Sequence, residues 1–263
     1  MVEKNTYTHL LGITKQHIIQ KQTINNLTKR KTMKKIAIIG TGTVGQTFAS
    51  KLITLGYDVM MGTRNVSEKL ASTAKDGYGN PPFSEWYAQN KNVKLGTFAE
   101  AAAFGEIVLN ASQGANSINA LKLAEAKNLN GKIIMDVANP LDFSKGMPPC
   151  LVPELSNTNS LGEEIQKTFS DAKVVKTLNT MWCGLMVNPN MIGGGDHTSY
   201  ICGNDADAKS KVKSLMNEFG WKNENILDLG DISSARGTEA VLPVWLRIWG
   251  ATKNGAFNFK IVS

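Results

Sequence analysis

From residue 34 onward, short apolar runs alternate with stretches in which apolar positions recur every three or four residues. Lys35–Ile39 is an almost unbroken apolar run that stops at Gly40, which predicts a buried strand. The next stretch, 43–55, puts Val44, Phe48, Leu52 and Leu55 on one face and predicts a helix. Runs at 58–61, 93–95, 106–110, 132–136 and 173–177 predict further strands, with helical patterns such as 117–126 and 161–169 between them. Strands separated by helices pair in parallel through right-handed crossovers. The expected fold class is therefore α/β, a Rossmann-type doubly wound parallel sheet. Segment 139–158 is rich in Pro, Asn, Ser and Gly and reads as a long loop beside a ligand site. Beyond Thr180 the pattern predicts a glycine turn at Gly193–Gly195, strands at 198–202 and 226–229, and an amphipathic helix at 206–219. It also predicts a helix over 233–249 broken at Pro243, and a closing strand at 257–262. This stretch reads as a small C-terminal α/β domain.

The turn between the first strand and the first helix reads Gly40-Thr41-Gly42-Thr43-Val44-Gly45, a GxGxxG spacing. In this context each glycine has its own task. Gly40 allows the sharp turn, Gly42 lets the backbone approach a pyrophosphate, and Gly45 lets the helix pack closely on the strand. The helix start then stabilises phosphate charge through its free N–H groups and its dipole. A Walker loop is excluded because no Gly-Lys-Ser/Thr follows. NAD binders place a carboxylate about 20 residues further on, to accept from the ribose hydroxyl. Here that place holds Thr63, Arg64 and Asn65. A guanidinium suits a 2′-phosphate, which a carboxylate would repel. The expected cofactor is NADP(H). The expected domains are a disordered or extraneous leader at 1–32, an NADP(H)-binding Rossmann domain at 33–180, and the small domain at 181–263.

Charge changes this picture little. The net charge of +7 is concentrated in residues 1–32, which carry +5, so the rest is nearly neutral and nucleic acid is not an expected partner. No run reaches the length of a membrane-spanning helix. Three cysteines without CxxC spacing, and a single histidine, His197, beyond residue 32, argue against a disulfide framework and a metal centre. They fit a reducing, cytoplasmic compartment.

Several segments, in this order, carry a family resemblance: "KIAIIGTGTVGQTFASKL", "VMMGTRN", "DVANPL", "AKVVKTLNTM", "YICGNDADAKSKV", "DLGDISSARGTEAV" and "FNFKIV". Across Lys34–Val262 the chain resembles the coenzyme F420-dependent NADP oxidoreductases, whose nucleotide-binding fold is shared by the cytosolic domain of the STEAP metalloreductases. The resemblance implies that Thr63 and Arg64 hold the 2′-phosphate. It implies that Ala111-Ser112-Gln113 covers the middle of the cofactor, and that Asn139 and Pro140 lie near the nicotinamide with Leu178-Asn179-Thr180 beside it. Asn179 stands where archaeal members carry a histidine. The expected assembly is a homodimer.

The expected activity is hydride transfer between NADP(H) and a deazaflavin such as F420, a flavin, or a small carbonyl compound. A non-catalytic NADP(H)-binding redox sensor is the alternative. Two rings held face to face need little acid–base help, and no His/Lys/Tyr constellation stands out. Asn179 is the candidate for orienting a ring or carbonyl. Lys176 is either a proton donor or a structural strand residue. Met181, Trp182, Met186 and Met191 either line a ring-binding cleft or belong to the core. Cys183 and Cys202 read as small buried hydrophobes, and His197 as a surface residue. Trp245 and Trp249 read as packing between domains or subunits.

Overall fold

The computed structural model describes residues 35–75 and 79–263; the expected leader lies outside them. Among the described residues ten strands are formed: β1 Lys35–Ile39, β2 Asp58–Thr63, β3 Lys94–Thr97, β4 Ile107–Asn110, β5 Ile133–Asp136, β6 Leu141–Asp142, β7 Cys150–Leu151, β8 Lys173–Thr177, β9 Ser199–Cys202 and β10 Ile226–Asp228. Eight of them make one sheet in the order β10-β9-β8-β5-β4-β1-β2-β3. From β3 to β8 every pairing is parallel, as the strand–helix alternation predicts. β9 then runs antiparallel to β8, with Lys176 opposite Cys202, and β10 pairs parallel to β9. The segment expected as a C-terminal domain thus adds two strands to the edge of the same sheet.

The period of two in β1 explains the layering. Ile36 and Ile38 face one side, where helix α1 (Thr43–Thr54) brings Phe48 and Leu52. Ala37 and Ile39 face the other, against Ala101 and Ala102 of α4 (Phe98–Phe104) and Leu121 of α5 (Gly114–Leu123). Strands buried on both faces read as continuous apolar runs, and Ile36–Ile39 are all buried. Two short helices, α2 (Val66–Ala71) and α3 (Phe83–Gln89), lie between β2 and β3. A single turn, α6 (Ala126–Leu129), leads to β5, and α7 (Leu161–Thr168) leads to β8. α8 (Cys183–Val187) follows β8, and α9 (Ala206–Phe219) sets Phe219 edge-on to Phe48 at 5.7 Å. α10 (Ala235–Thr252) ends the regular structure.

Four expectations need correction. Pro243 does not break α10, which runs through it as one helix of 18 residues. Proline removes one N–H bond, but buried Leu242 and Trp245 anchor both sides of it. Segment 139–158 holds the two-stranded β6–β7 ladder, and 257–262 forms no strand, although the Thr198 N–H donates to the Phe259 carbonyl at 2.9 Å. His197 is buried: its Nε2 bonds the Pro189 carbonyl oxygen at 2.9 Å, and its ring meets Trp221 edge-on. The cysteines are all free; Cys183 and Cys202 are buried as expected, and burial pushes the Cys202 thiol up to about 12.

Candidate active site at the strand ends

Parallel strands with helical crossovers end together, and ligands bind where the strand order reverses. Here that point lies between β1 and β4, and the expected site residues follow the C-terminal ends of β2, β1, β4, β5 and β8 in spatial order. Backbone contacts join neighbouring loops directly. The Gly40 N–H donates to the Gly62 carbonyl at 3.2 Å, and the Ala111 N–H to the Ile39 carbonyl at 3.0 Å.

The three motif glycines differ in their surroundings. Gly40 has φ +121°, and a Cβ there would lie 2.6 Å from the Ala111 carbonyl oxygen. A Cβ on Gly45 would lie 2.4 Å from the Gly40 carbonyl oxygen. A Cβ on Gly42 would meet nothing within 4 Å. Two glycines are therefore fixed by the protein's own packing, while the middle one faces open space. Gly42 is also the N-cap of α1, gives no side-chain cap, and is followed by no acidic residue in the first turn. Thr41 and Thr43 are tied to the loop, through Gln46 Nε2 to the Thr41 carbonyl and Asn80 Nδ2 to Thr43 Oγ1. Val44 packs against the core. This geometry fits a pyrophosphate.

At the end of β2, Thr63 is buried and Arg64 is exposed. Arg64 has no hydrogen-bond or ion-pair partner among the described residues, which leaves its guanidinium available to an arriving anion. The Asn65 side chain caps α2 by accepting from the Glu68 N–H at 3.2 Å.

On the other side of the switch point the polar groups bond to each other. A Cβ on Gly114 would lie 1.9 Å from the Asn139 carbonyl oxygen, so α5 starts against the chain leaving β5. Asn139 and Asn179 pair reciprocally: Asn139 Nδ2 donates to the Asn179 carbonyl at 2.8 Å, and Asn179 Nδ2 donates to Asn139 Oδ1 at 2.9 Å. Leu178 takes φ +59° to turn Asn179 towards it. That conformation is strained for a branched residue, and such strain gathers at functional sites. The Ser112 hydroxyl donates to Asn110 Oδ1 at 2.7 Å.

Beneath this rim lies a buried cluster that sequence reasoning did not assemble. Lys176 Nζ reaches Asp136 at 2.8 Å, Glu239 at 2.7 Å and the Ala138 carbonyl at 2.6 Å. Asp136 also accepts from Asn110 Nδ2 at 2.8 Å, and Glu239 accepts from the Leu161 and Gly162 N–H groups. Burial pushes the Lys176 ammonium down, but the two carboxylates more than offset this and hold it above the usual lysine range. Burial holds Glu239 above the usual carboxylate range against the pull of Lys176. Lys176 is thus an internally neutralised strand residue. The available signals were lone carboxylates in apolar runs, Asp136 ending "IIMD" and Glu239 inside "TEAVL". Met181 and Met186 are buried in the core, whereas Trp182 and Met191 are exposed.

Comparison with known proteins agrees with this geometry. The family described as "NADP oxidoreductase coenzyme F420-dependent" matches residues 35–140. A crystal structure from Arthrobacter sp. FB24, designated an F420-dependent NADP-reductase, is 53% identical with a TM-score of 0.81, covering 87% of this chain and 99% of that one. The chain belongs to this NADP oxidoreductase family. Metalloreductase STEAP3 of Rattus norvegicus is 27% identical over 217 residues, covering 80% of this chain. Metalloreductase STEAP2 of Homo sapiens is 26% identical over 206 residues, covering 78%. The chain spans 38% and 35% of the length of these two relatives. As a family member the chain is an NADP(H)-binding oxidoreductase on a Rossmann-like sheet. Among the described residues no helix is long and apolar enough to cross a membrane, and no cluster of His, Cys, Asp and Glu could hold a metal ion.

Proposed function

We propose that the chain transfers a hydride between NADP(H) and a deazaflavin, with flavins and small carbonyl compounds as the other acceptors to test. In this reading Gly40–Gly45 cradles the pyrophosphate, and Thr63, Arg64 and Asn65 bind the 2′-phosphate. Ala111 and Ser112 cover the middle of the cofactor, and Asn139 and Asn179 border the nicotinamide. Segment 181–263 serves as the small C-terminal part, and the assembly is a cytoplasmic homodimer. The free cysteines and the half-exposed apolar surface of α10, with Val244 at 53% exposure, support these last two points.

One observation carries the choice of acceptor. Of residues 110–114, 136–141 and 176–182, only Asp136 and Lys176 carry acidic or basic side chains, and they are buried and bonded to each other. A carbonyl reduced to an alkoxide needs a proton donor within hydrogen-bond reach. A fused ring that spreads the incoming charge does not, and asks mainly to be held flat in a dry site. The bound nicotinamide supplies the hydride. The chain's own residues fix it with amides and hydroxyls, Asn139, Asn179 and Thr180, and keep water out with Leu178 and Met181, both buried.

The test is steady-state NADPH oxidation with F420, FMN, FAD, ferric chelates and small ketones. Turnover with F420 well above the ketones is expected. Ketone reduction that outruns F420 would overturn the acceptor assignment. Tight NADPH binding without turnover on any acceptor would favour a redox sensor.

A further inference from the structure

Lys176 has no part in the proposed chemistry, yet its ammonium is the hub of the rim. One bond goes to the Ala138 carbonyl, the residue before Asn139. Another goes to Asp136, which also accepts from the Ala138 N–H at 3.2 Å and from Asn110 on the next strand. Asn110 in turn holds Ser112 through both the hydroxyl and the N–H, and buried Ser117 of α5 closes the loop at 2.8 Å from Ser112 Oγ. The third bond, to Glu239, ties the hub to α10 and to the first N–H groups of α7. Four bonded residues thus run from β8 through β5 to the loop after β4.

We infer that Lys176 is a positioning residue for hydride transfer, fixing the ends of β4, β5 and β8 relative to one another so that the ring-binding rim is set before the cofactor arrives. The inference rests on the assignment of that rim to the nicotinamide. Stability alone is a poor explanation, since apolar side chains of similar volume commonly do as well as a buried ion pair. Two further observations point outward from the cluster. Leu178, two residues along from Lys176, holds its left-handed turn only within a surrounding that over-determines it. Asn179 Oδ1 and Thr180 Oγ1 are buried without a partner among the described residues. Ser199 Oγ, Trp245 Nε1 and Asn258 Oδ1 share this lack, but buried polar atoms are as a rule bonded, and a carboxamide on the ring would complete the pair at the rim.

The experiment compares two ligands on the full chain: NADPH, and 2′-phospho-ADP-ribose, which lacks the nicotinamide. Lys176→Met strands two buried carboxylates and can unfold the chain, so Lys176→Met/Glu239→Gln, which strands only Asp136 and leaves it its bonds from Asn110 Nδ2 and the Ala138 N–H, is the variant measured. It should bind 2′-phospho-ADP-ribose within about twofold of the parent, while NADPH binds roughly tenfold more weakly and bound-nicotinamide fluorescence anisotropy falls towards its free value. With an active acceptor, kcat should drop by roughly 100-fold, the cost of a misplacement near 1 Å. Ser117→Ala, which cuts a neutral link and touches no charge, should shift anisotropy in the same direction by less.

Equal weakening of both ligands would show a purely structural role and overturn the inference. So would unchanged anisotropy in the double variant, or in Ser117→Ala should the double variant not fold. If no acceptor turns over, the acceptor assignment fails, but the two-ligand comparison still decides the role of Lys176.

Discussion

Around the ends of β1 and β2 the chain leaves polar groups for something outside it. Gly42 faces open space, the start of α1 has no side-chain cap, and Arg64 has no partner among the described residues. Around the ends of β5 and β8 the chain consumes its own polar groups. Lys176 bonds both Asp136 and Glu239, and Asn139 and Asn179 pair across the gap. Under the proposed function, the difference follows from what each end recognises. A phosphate arrives with charge and needs exposed, uncommitted donors. A ring must be placed, and placement needs side chains held by bonds of their own, with few groups left over for its carboxamide, here Asn179 Oδ1 and Thr180 Oγ1.

The sharpest way to break this contrast is to leave charge unpaired at the sealed end. Lys176→Met should cost about 3–5 kcal/mol, the penalty for stranding buried carboxylates. Urea unfolding measures it, and a loss below 1 kcal/mol would mean that water reaches the cluster.

The glycines test the open end. Gly42→Val should remove NADPH binding with little change in melting temperature, because its side chain would enter ligand space and touch no protein atom within 4 Å at Cβ. Gly45→Val should lower the melting temperature as well, since its Cβ would sit 2.4 Å from the Gly40 carbonyl oxygen. Similar melting behaviour in the two variants would contradict the division of tasks between them.

A smaller effect separates recognition from packing at the same end. Arg64→Ala should weaken NADPH by about 2 kcal/mol, in the range for a hydrogen bond to a charged group, and leave NADH nearly unchanged. Equal losses for both nucleotides, read by titration, would remove Arg64 from the 2′-phosphate site.

The contrast also explains what could be read from the sequence. The open end is written in contiguous residues, because a strand, a glycine turn and a helix start are local, and Gly40–Gly45 and Thr63–Asn65 stand beside the elements that present them. The sealed end joins residues from β4, β5, β8 and α10. Nothing in "KVVKT" says that Lys176 meets a carboxylate 63 positions later in α10. Pro243 misled for a related reason: local propensity marks a break, and tertiary burial on both sides overrides it. His197 looked exposed beside a glycine turn, but Trp221 and Asn258, distant in sequence, enclose it.

The smallest expected effect comes from a pair of helices clasped twice. Inside, Glu239 of α10 accepts from the Leu161 and Gly162 N–H groups of α7. Outside, Arg236 of α10 donates twice to Glu163 of α7, from Nε at 2.8 Å and from Nη2 at 2.6 Å. The outer clasp should behave like an open charge pair. Hydrogen bonds from Arg236 hold the Glu163 carboxyl below the usual carboxylate range. The unfolded chain therefore takes up this proton before the folded one does as pH falls. The stability of the clasp is complete above the unfolded carboxylate pKa and is lost as pH drops through the lower folded value. Because water and salt screen an exposed pair, the whole effect should be no more than a few degrees of melting temperature. Thermal unfolding of the parent and Glu163→Gln at neutral pH and again near pH 3 reads it. The gap between the two proteins should be present at neutral pH and narrow in acid. A gap that widens in acid would reverse the sign of the linkage, and a gap as large as that of Lys176→Met would erase the distinction between the sealed and the open charges.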